Sequence, residues 1–315
     1  MLLPAHLYEV LFPLYMTVII VGTSSNGCIL FLAAIKVIKL TPITLLLLNI
    51  SLADLMIDLN MVPYWFVFPA DFVDSSRLAI SMVCAFANQG ALAVTAFIVN
   101  VLTLSYISFL RVSSFTEAKK GHVILKMKSV LSFILFTWIA GLAVLVPNMF
   151  EIFISVEKRE CRRRERYKLY FHIFNALTAF FFWVTPLTIM FVNLILTLRN
   201  LWGRNMFQQS SLLKHRKQIS LMLLGLPTAF LVFTTPNVVY LALRSTGMWS
   251  DYVNYDLAQI YRPILLVGLL TTISDPALYF FCRASFRNGF LDAISERNKR
   301  ADNTKKINNW NCCRT

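Results

Sequence analysis

The stretch LLLLNISLADLMIDL, residues 45–59, sets Asp54 and Asp58 four positions apart inside an otherwise almost wholly apolar run. A carboxylate in such surroundings is expensive unless it is neutralised or hydrogen-bonded. Its chemistry is therefore that of a cation or proton site, or of a polar contact that holds helices together. A third acid, Asp275, stands in a second apolar run, and Asn26 in a third, GTSSNGCILFL. Six cysteines, at 28, 84, 161, 282, 312 and 313, add thiol chemistry.

The elements that must position these groups follow from composition. The chain is 57% hydrophobic and 15% charged, with a mean hydropathy of +0.63, which is far outside the range of soluble domains. A hydrocarbon core about 30 Å thick is crossed by roughly 20 helical residues. Residues 10–35, 78–110, 129–150, 169–198 and 218–243 contain no Lys, Arg, Asp or Glu, while 42–69 holds Asp54 and Asp58 and 263–282 holds Asp275. The apolar runs are continuous blocks without the alternation of a membrane barrel. The expectation is an all-α membrane protein whose seven transmembrane helices lie near 8–35, 42–69, 79–111, 126–150, 169–199, 216–243 and 257–282. Thr41 places a capping hydroxyl before Pro42, and Gly247 and Ser250 fall in the break before the last span. Prolines 147, 186, 236 and 276 lie inside spans. Asn26 and Asp54 fall midway along the first and second.

Basic residues set the orientation. With the C-terminus in the cytoplasm, that side carries two-thirds of the 30 Lys and Arg but only a quarter of the 16 acids. The formal charge of +14 is then a positive-inside signal and calls for no nucleic-acid partner. The N-terminus falls outside, and the first apolar run, too long for a signal peptide and without a charged segment before it, is expected to insert as the first helix of a chain beginning at Met1. In this topology Cys84 and Cys161 are the two cysteines that face an oxidising compartment, so a disulfide between them is expected. Cys28 and Cys282 read as core filler. Cys312 and Cys313 close a basic tail, 284–315, as S-acylation sites or as unmodified thiols.

Further motifs follow in order: VLTLSYISFLRV (101–112), where Arg111 ends the 33-residue uncharged stretch 78–110; Trp138 with Pro147; Pro186; Phe230 six residues before Pro236; and DPALYFFCRASFR (275–287). From Asn26 to Arg287 the chain resembles the rhodopsin-like (class A) G-protein-coupled receptors. LNISLADL (48–55) is similar to the family's second-helix signature, the segment ending at Arg111 to its third-helix end, and Asp275-Pro276-Ala277-Leu278-Tyr279 to its Asn-Pro-x-x-Tyr motif. Phe286-Arg287 is similar to the start of a short amphipathic eighth helix.

The resemblance implies a plasma-membrane receptor rather than an enzyme, with an extracellular ligand and a heterotrimeric G protein as partners. Arg111 would reach the G protein, Tyr279 would swing inward, and Pro236 and Phe230 would mark the bend of the sixth helix, with Asp275 and Pro276 in the corresponding motif of the seventh. It also implies an allosteric sodium site on Asp54 with Asn100, Thr271 and Thr272. Asp275, where relatives carry asparagine, adds a second carboxylate. At about 5 Å and an effective dielectric near 20 the two would repel by about 3 kcal/mol. A cation would then be shared, or one acid would keep its proton; alternatively Asp275 stays protonated and donates a hydrogen bond.

Departures from the family pattern carry expectations too. Leu110-Arg111-Val112 stands where relatives have Asp-Arg-Tyr, so Arg111 lacks its usual acidic neighbour and basal signalling should be high. Thr234 replaces an aromatic residue, Leu194 a tyrosine, and Cys84 lies 27 residues before Arg111, about two more than usual. No acid lies in the upper third helix and no lysine in the seventh, which disfavours amine and retinal ligands. Motif alignment puts Gln89, Ala93, Phe97, Thr178, Asn237, Tyr240, Tyr261 and Arg262 around the pocket. The loop VEKRECRRRERYK (156–168), with Arg244 and Arg262, either attracts an acidic ligand or is a solvated mixed-charge loop. Two rival classes remain. An ion-coupled transporter or channel would line its path with Asp54, Asp58 and Asp275, though no repeat relates the chain's halves. A non-signalling decoy would explain the losses at 110, 112 and 194.

Overall fold

A computed structural model describes residues 5–66, 91–117, 126–151, 168–202, 211–245 and 256–282, with single positions at 287 and 291. Every extended element among the described residues is helical. The first four helices are Ala5–Ala34, Pro42–Phe66, Ala91–Glu117 and Met127–Glu151. The fifth span runs through Lys168–Ala179, a π turn at Phe180–Val184, and Thr185–Trp202. The sixth is Ser211–Ser245, and the seventh comes in two parts, Asp256–Leu269 and Thr271–Cys282. Even the 25 residues of the second helix extend about 37 Å, enough to cross the hydrocarbon core. All seven spans are long and apolar enough to do so.

Local chemistry accounts for several of the boundaries. At the start of the second helix Thr41 Oγ1 accepts the Thr44 N–H at 3.2 Å, with Pro42 at the first helical position, where a missing N–H costs nothing. The first helix ends in a left-handed residue, Lys36 at φ 60°. Lys36 N–H reaches the Ala33 carbonyl and Val37 N–H the Leu32 carbonyl, the paired bonds of a Schellman ending. The π turn directly precedes Pro186: Thr185 N–H reaches back five residues to the Phe180 carbonyl, and the widened turn makes room ahead of a residue that has no N–H to give.

The third helix is the axis of the bundle, packing against the second, fourth, fifth and sixth; the first packs on the second and seventh, and the sixth on the seventh. Lipid tails are as apolar as leucine, so burying apolar surface does not by itself drive these helices together. Close packing and polar contacts do. Large apolar side chains such as Phe31, Leu135, Phe191 and Val232 face outward, while Asn26, Asn49, Asp54, Asp58, Asn100 and Thr272 are buried. One polar chain crosses three spans: Trp138 Nε1 donates to Asn49 Oδ1 at 2.9 Å, Asn49 Nδ2 to Thr103 Oγ1 at 2.9 Å, and Thr103 Oγ1 to the Val99 carbonyl at 2.7 Å. Gly141 brings the fourth helix onto the third so closely that a Cβ there would lie 2.9 Å from Thr95 Cγ2.

Candidate functional site

The buried acids sit on faces that helical spacing assembles. Ser51, Asp54 and Asp58 lie three and four apart on the second span, and Thr272, Asp275 and Tyr279 repeat the same spacing on the seventh. All six are buried, as is Asn26 on the first span, one turn beyond Gly22, and Asn100 on the third. Four spans thus turn their polar faces to one interior seam.

Two oxygen clusters occupy that seam. In the first, Asn100 Nδ2 donates to Asp54 Oδ1 at 2.6 Å. Asp54 Oδ2, Asn100 Oδ1 and Asp275 Oδ2 are buried acceptors that meet no donor. Ser274 Oγ lies 3.4 Å from Asp275 Oδ1, and Asp275 and Asp54 stand near enough to act on each other and on the Tyr279 hydroxyl, with Ser51 beside it. Among the described residues neither carboxyl has a basic partner. Acceptors without donors, two of them acidic, suit a hard cation, which prefers carboxylate and amide oxygen. No group of three or more His, Cys, Asp or Glu converges as metal ligands among the described residues. A cation here would therefore rest on two carboxylates and the Asn100 amide.

The second cluster is centred on Asp58. Thr272 Oγ1 lies 3.0 Å from Asp58 Oδ1 and 2.9 Å from the Leu269 carbonyl. Gly22 opens a notch for the other carboxyl oxygen: a Cβ at 22 would collide with Asp58 Oδ2 and lie 2.8 Å from Thr272 Oγ1. Pro276, four residues after Thr272, has no N–H for the Thr272 carbonyl. Asn26 Nδ2 supplies one instead, at 2.8 Å, while also donating to the Gly22 carbonyl at 3.1 Å. Thr272, expected beside Asp54, thus engages Asp58 through its hydroxyl. The Thr271 hydroxyl returns to its own helix, on the Gly268 carbonyl at 2.9 Å.

Toward the far end of the third span Leu110 packs on the core and Arg111 is half-buried. Nearby, Ser105 Oγ donates to the Pro186 carbonyl at 3.0 Å and Asn193 Nδ2 to Ser108 Oγ at 3.1 Å, joining the third span to the fifth. Phe230 is buried in the core of the bundle, and Thr234, at the position of the usual aromatic switch, donates its hydroxyl to the Phe230 carbonyl at 2.6 Å. The neighbouring aromatic is Phe97. It stacks on Trp183 with centroids 4.6 Å apart and meets Phe230 at 5.2 Å, so three spans share one aromatic contact.

The other pocket candidates are dispersed over the half of the bundle away from Arg111. The Ala93 N–H donates to Asn60 Oδ1 at 3.2 Å, Thr178 is half-buried, and Asn237 and Tyr240 are buried. The Arg262 carbonyl accepts the Tyr15 hydroxyl at 2.6 Å, tying the first span to the seventh. Cys28 and Cys282 are free and half-buried. Cys84, Gln89, Cys161, Phe286, Cys312, Cys313 and the side chains of Arg244 and Tyr261 lie outside the described residues. Asp58, Gly22 and Trp183 have no counterpart among the motif residues that carry the receptor resemblance. The four-residue interval from Asp54 to Asp58 was the available signal for the first.

The family described as 7 transmembrane receptor (rhodopsin family) matches residues 25–279 of the chain. No curated protein matches it.

Proposed function

The chain belongs to the rhodopsin family of seven-transmembrane receptors, and on that premise we propose that it is a plasma-membrane receptor coupling an extracellular ligand to a heterotrimeric G protein. Its N-terminus would lie outside and its Arg111 end in the cytoplasm. The observation that carries this reading is the Phe97–Trp183–Phe230 contact. A ligand among Ala93, Asn237 and Tyr240 would press on Phe97, and Phe97 bears directly on Phe230, one and a half turns before Pro236. Because Thr234 cannot serve as the aromatic lever, this stack takes its place. Movement of the sixth span about Pro236 would then open the end near Arg111 and Tyr279 to the G protein. Asp54, Asn100 and Asp275 would hold a cation such as sodium, which supplies the positive charge that the two acids lack.

Nucleotide exchange on a panel of heterotrimeric G proteins, in membranes containing the full chain, tests this proposal. Wild type should stimulate exchange with at least one of them, and Arg111→Ala should not. Silence across the panel, with the protein at the cell surface, would leave the decoy reading in its place.

A further inference from the structure

The Thr272 hydroxyl has one hydrogen and two oxygen neighbours, Asp58 Oδ1 at 3.0 Å and the Leu269 carbonyl at 2.9 Å. A carbonyl accepts and never donates. An ionised carboxylate also only accepts, so with Asp58 charged the one hydrogen would have to serve both neighbours. Both contacts are hydrogen bonds together if the carboxyl carries a proton, donates it to Thr272 Oγ1, and leaves the threonine hydrogen for Leu269. From this geometry we infer that Asp58 is a neutral acid, the head of a donor relay running from Asp58 through Thr272 to the Leu269 carbonyl.

Three further observations support the relay. Asp58 Oδ2 is buried, meets no donor and is lodged in the Gly22 notch. Left as half of a charged carboxylate it would be an unpaired anion in the membrane interior, whereas as the carbonyl oxygen of an acid it leaves only one neutral acceptor unmet. Among the described residues the surroundings supply no compensating charge. The ionisable group acting on Asp58 is Asp54, one turn away; the seventh span adds Asp275 and Tyr279 beside Asp54; and the first span faces it with Gly22, which does not titrate. Finally, the Leu269 carbonyl stands at the break of the seventh span. There Leu270 N–H bonds to Val267 and Ile273 N–H to the Leu270 carbonyl at 3.3 Å, so the helical partner of Leu269 is diverted and the Thr272 hydroxyl replaces it. The relay therefore clamps the break of the seventh span to the second span, and one proton on Asp58 holds the clamp. Asp58 is a positioning residue, separate from the cation oxygens around Asp54.

Infrared difference spectroscopy of the purified full chain in lipid nanodiscs at neutral pH tests this inference without any signalling readout, so it stands or falls apart from G-protein coupling. Subtracting Asp58→Asn from wild type should reveal the C=O stretching band of a protonated carboxyl. In Thr272→Val, which keeps Asp58 and removes its acceptor, that band should move to higher frequency. Asp58→Asn, whose amide can still donate, should keep its thermal midpoint near that of wild type, whereas Asp58→Ala should lose several degrees. Loss of the paired bands of an ionised carboxylate in Asp58→Asn, or a protonated-acid band unmoved by Thr272→Val, would overturn the relay.

Discussion

Gly22→Ala should destabilise the bundle, although the same exchange elsewhere on the same helix should stabilise it. Alanine is the better helix former, by about 1 kcal/mol in a helix interior. At position 22 the added methyl would overlap Asp58 Oδ2 and lie 2.8 Å from Thr272 Oγ1 and 3.1 Å from Asp58 Cγ. The carboxyl cannot swing away, because Asp58 and Thr272 are both fully buried. Overpacking of this kind costs about 1–3 kcal/mol, and losing the Asp58–Thr272 hydrogen bond adds about 0.6 kcal/mol in a membrane interior. At Gly27, five residues on, an added methyl would meet nothing within 4 Å, so Gly27→Ala keeps the propensity gain. The two variants should differ by about 3 kcal/mol, roughly 150-fold in the ratio of folded to unfolded protein. Thermal unfolding midpoints of the purified chain in nanodiscs measure this, with Gly22→Ala below wild type and Gly27→Ala at or above it. Adding Asp58→Ala to Gly22→Ala should recover part of the loss, since the methyl then has room. A Gly22→Ala protein as stable as Gly27→Ala would refute the notch and the close packing of the first, second and seventh spans around Asp58.

Raising sodium, with choline as the osmotic control, should suppress basal nucleotide exchange; Asp54→Ala should remove the suppression and Asp275→Asn should shift its dependence on pH. A sodium response that survives Asp54→Ala would make Asp54 purely structural. Leu110→Asp should lower basal exchange by about tenfold if the restored acid–arginine pair favours the closed state by about 1.4 kcal/mol, and equal basal activity in the variant and wild type would dispose of that argument. Mass spectrometry of non-reduced digests should find Cys84 and Cys161 in linked peptides, and two free thiols there would end the disulfide expectation.

The order of residues along the chain is enough to set the seven spans, because crossing a bilayer is a matter of local length and apolarity, and both are properties of a contiguous run. It also determined the start of the second helix: Thr41 and Pro42 act within one turn, and the structure shows the cap they form. The burial of Asp54 was legible for the same reason, since a carboxylate in the middle of a span has nowhere else to go. Which partner each acid meets was not legible. Thr272 and Asp58 are 214 residues apart, and only the packing of the seventh span on the second decides that this threonine meets Asp58. The same is true of Asn26, which reaches the Thr272 carbonyl across 246 residues because Pro276 has released it. Trp183 reaches Phe97 from the fifth span's π turn, a local widening that a run of three phenylalanines before a tryptophan does not announce. A side chain's hydrogen-bond partner depends on helix rotation and on sub-ångström depth of approach, and a glycine such as Gly22 sets that depth only once its neighbour is in place.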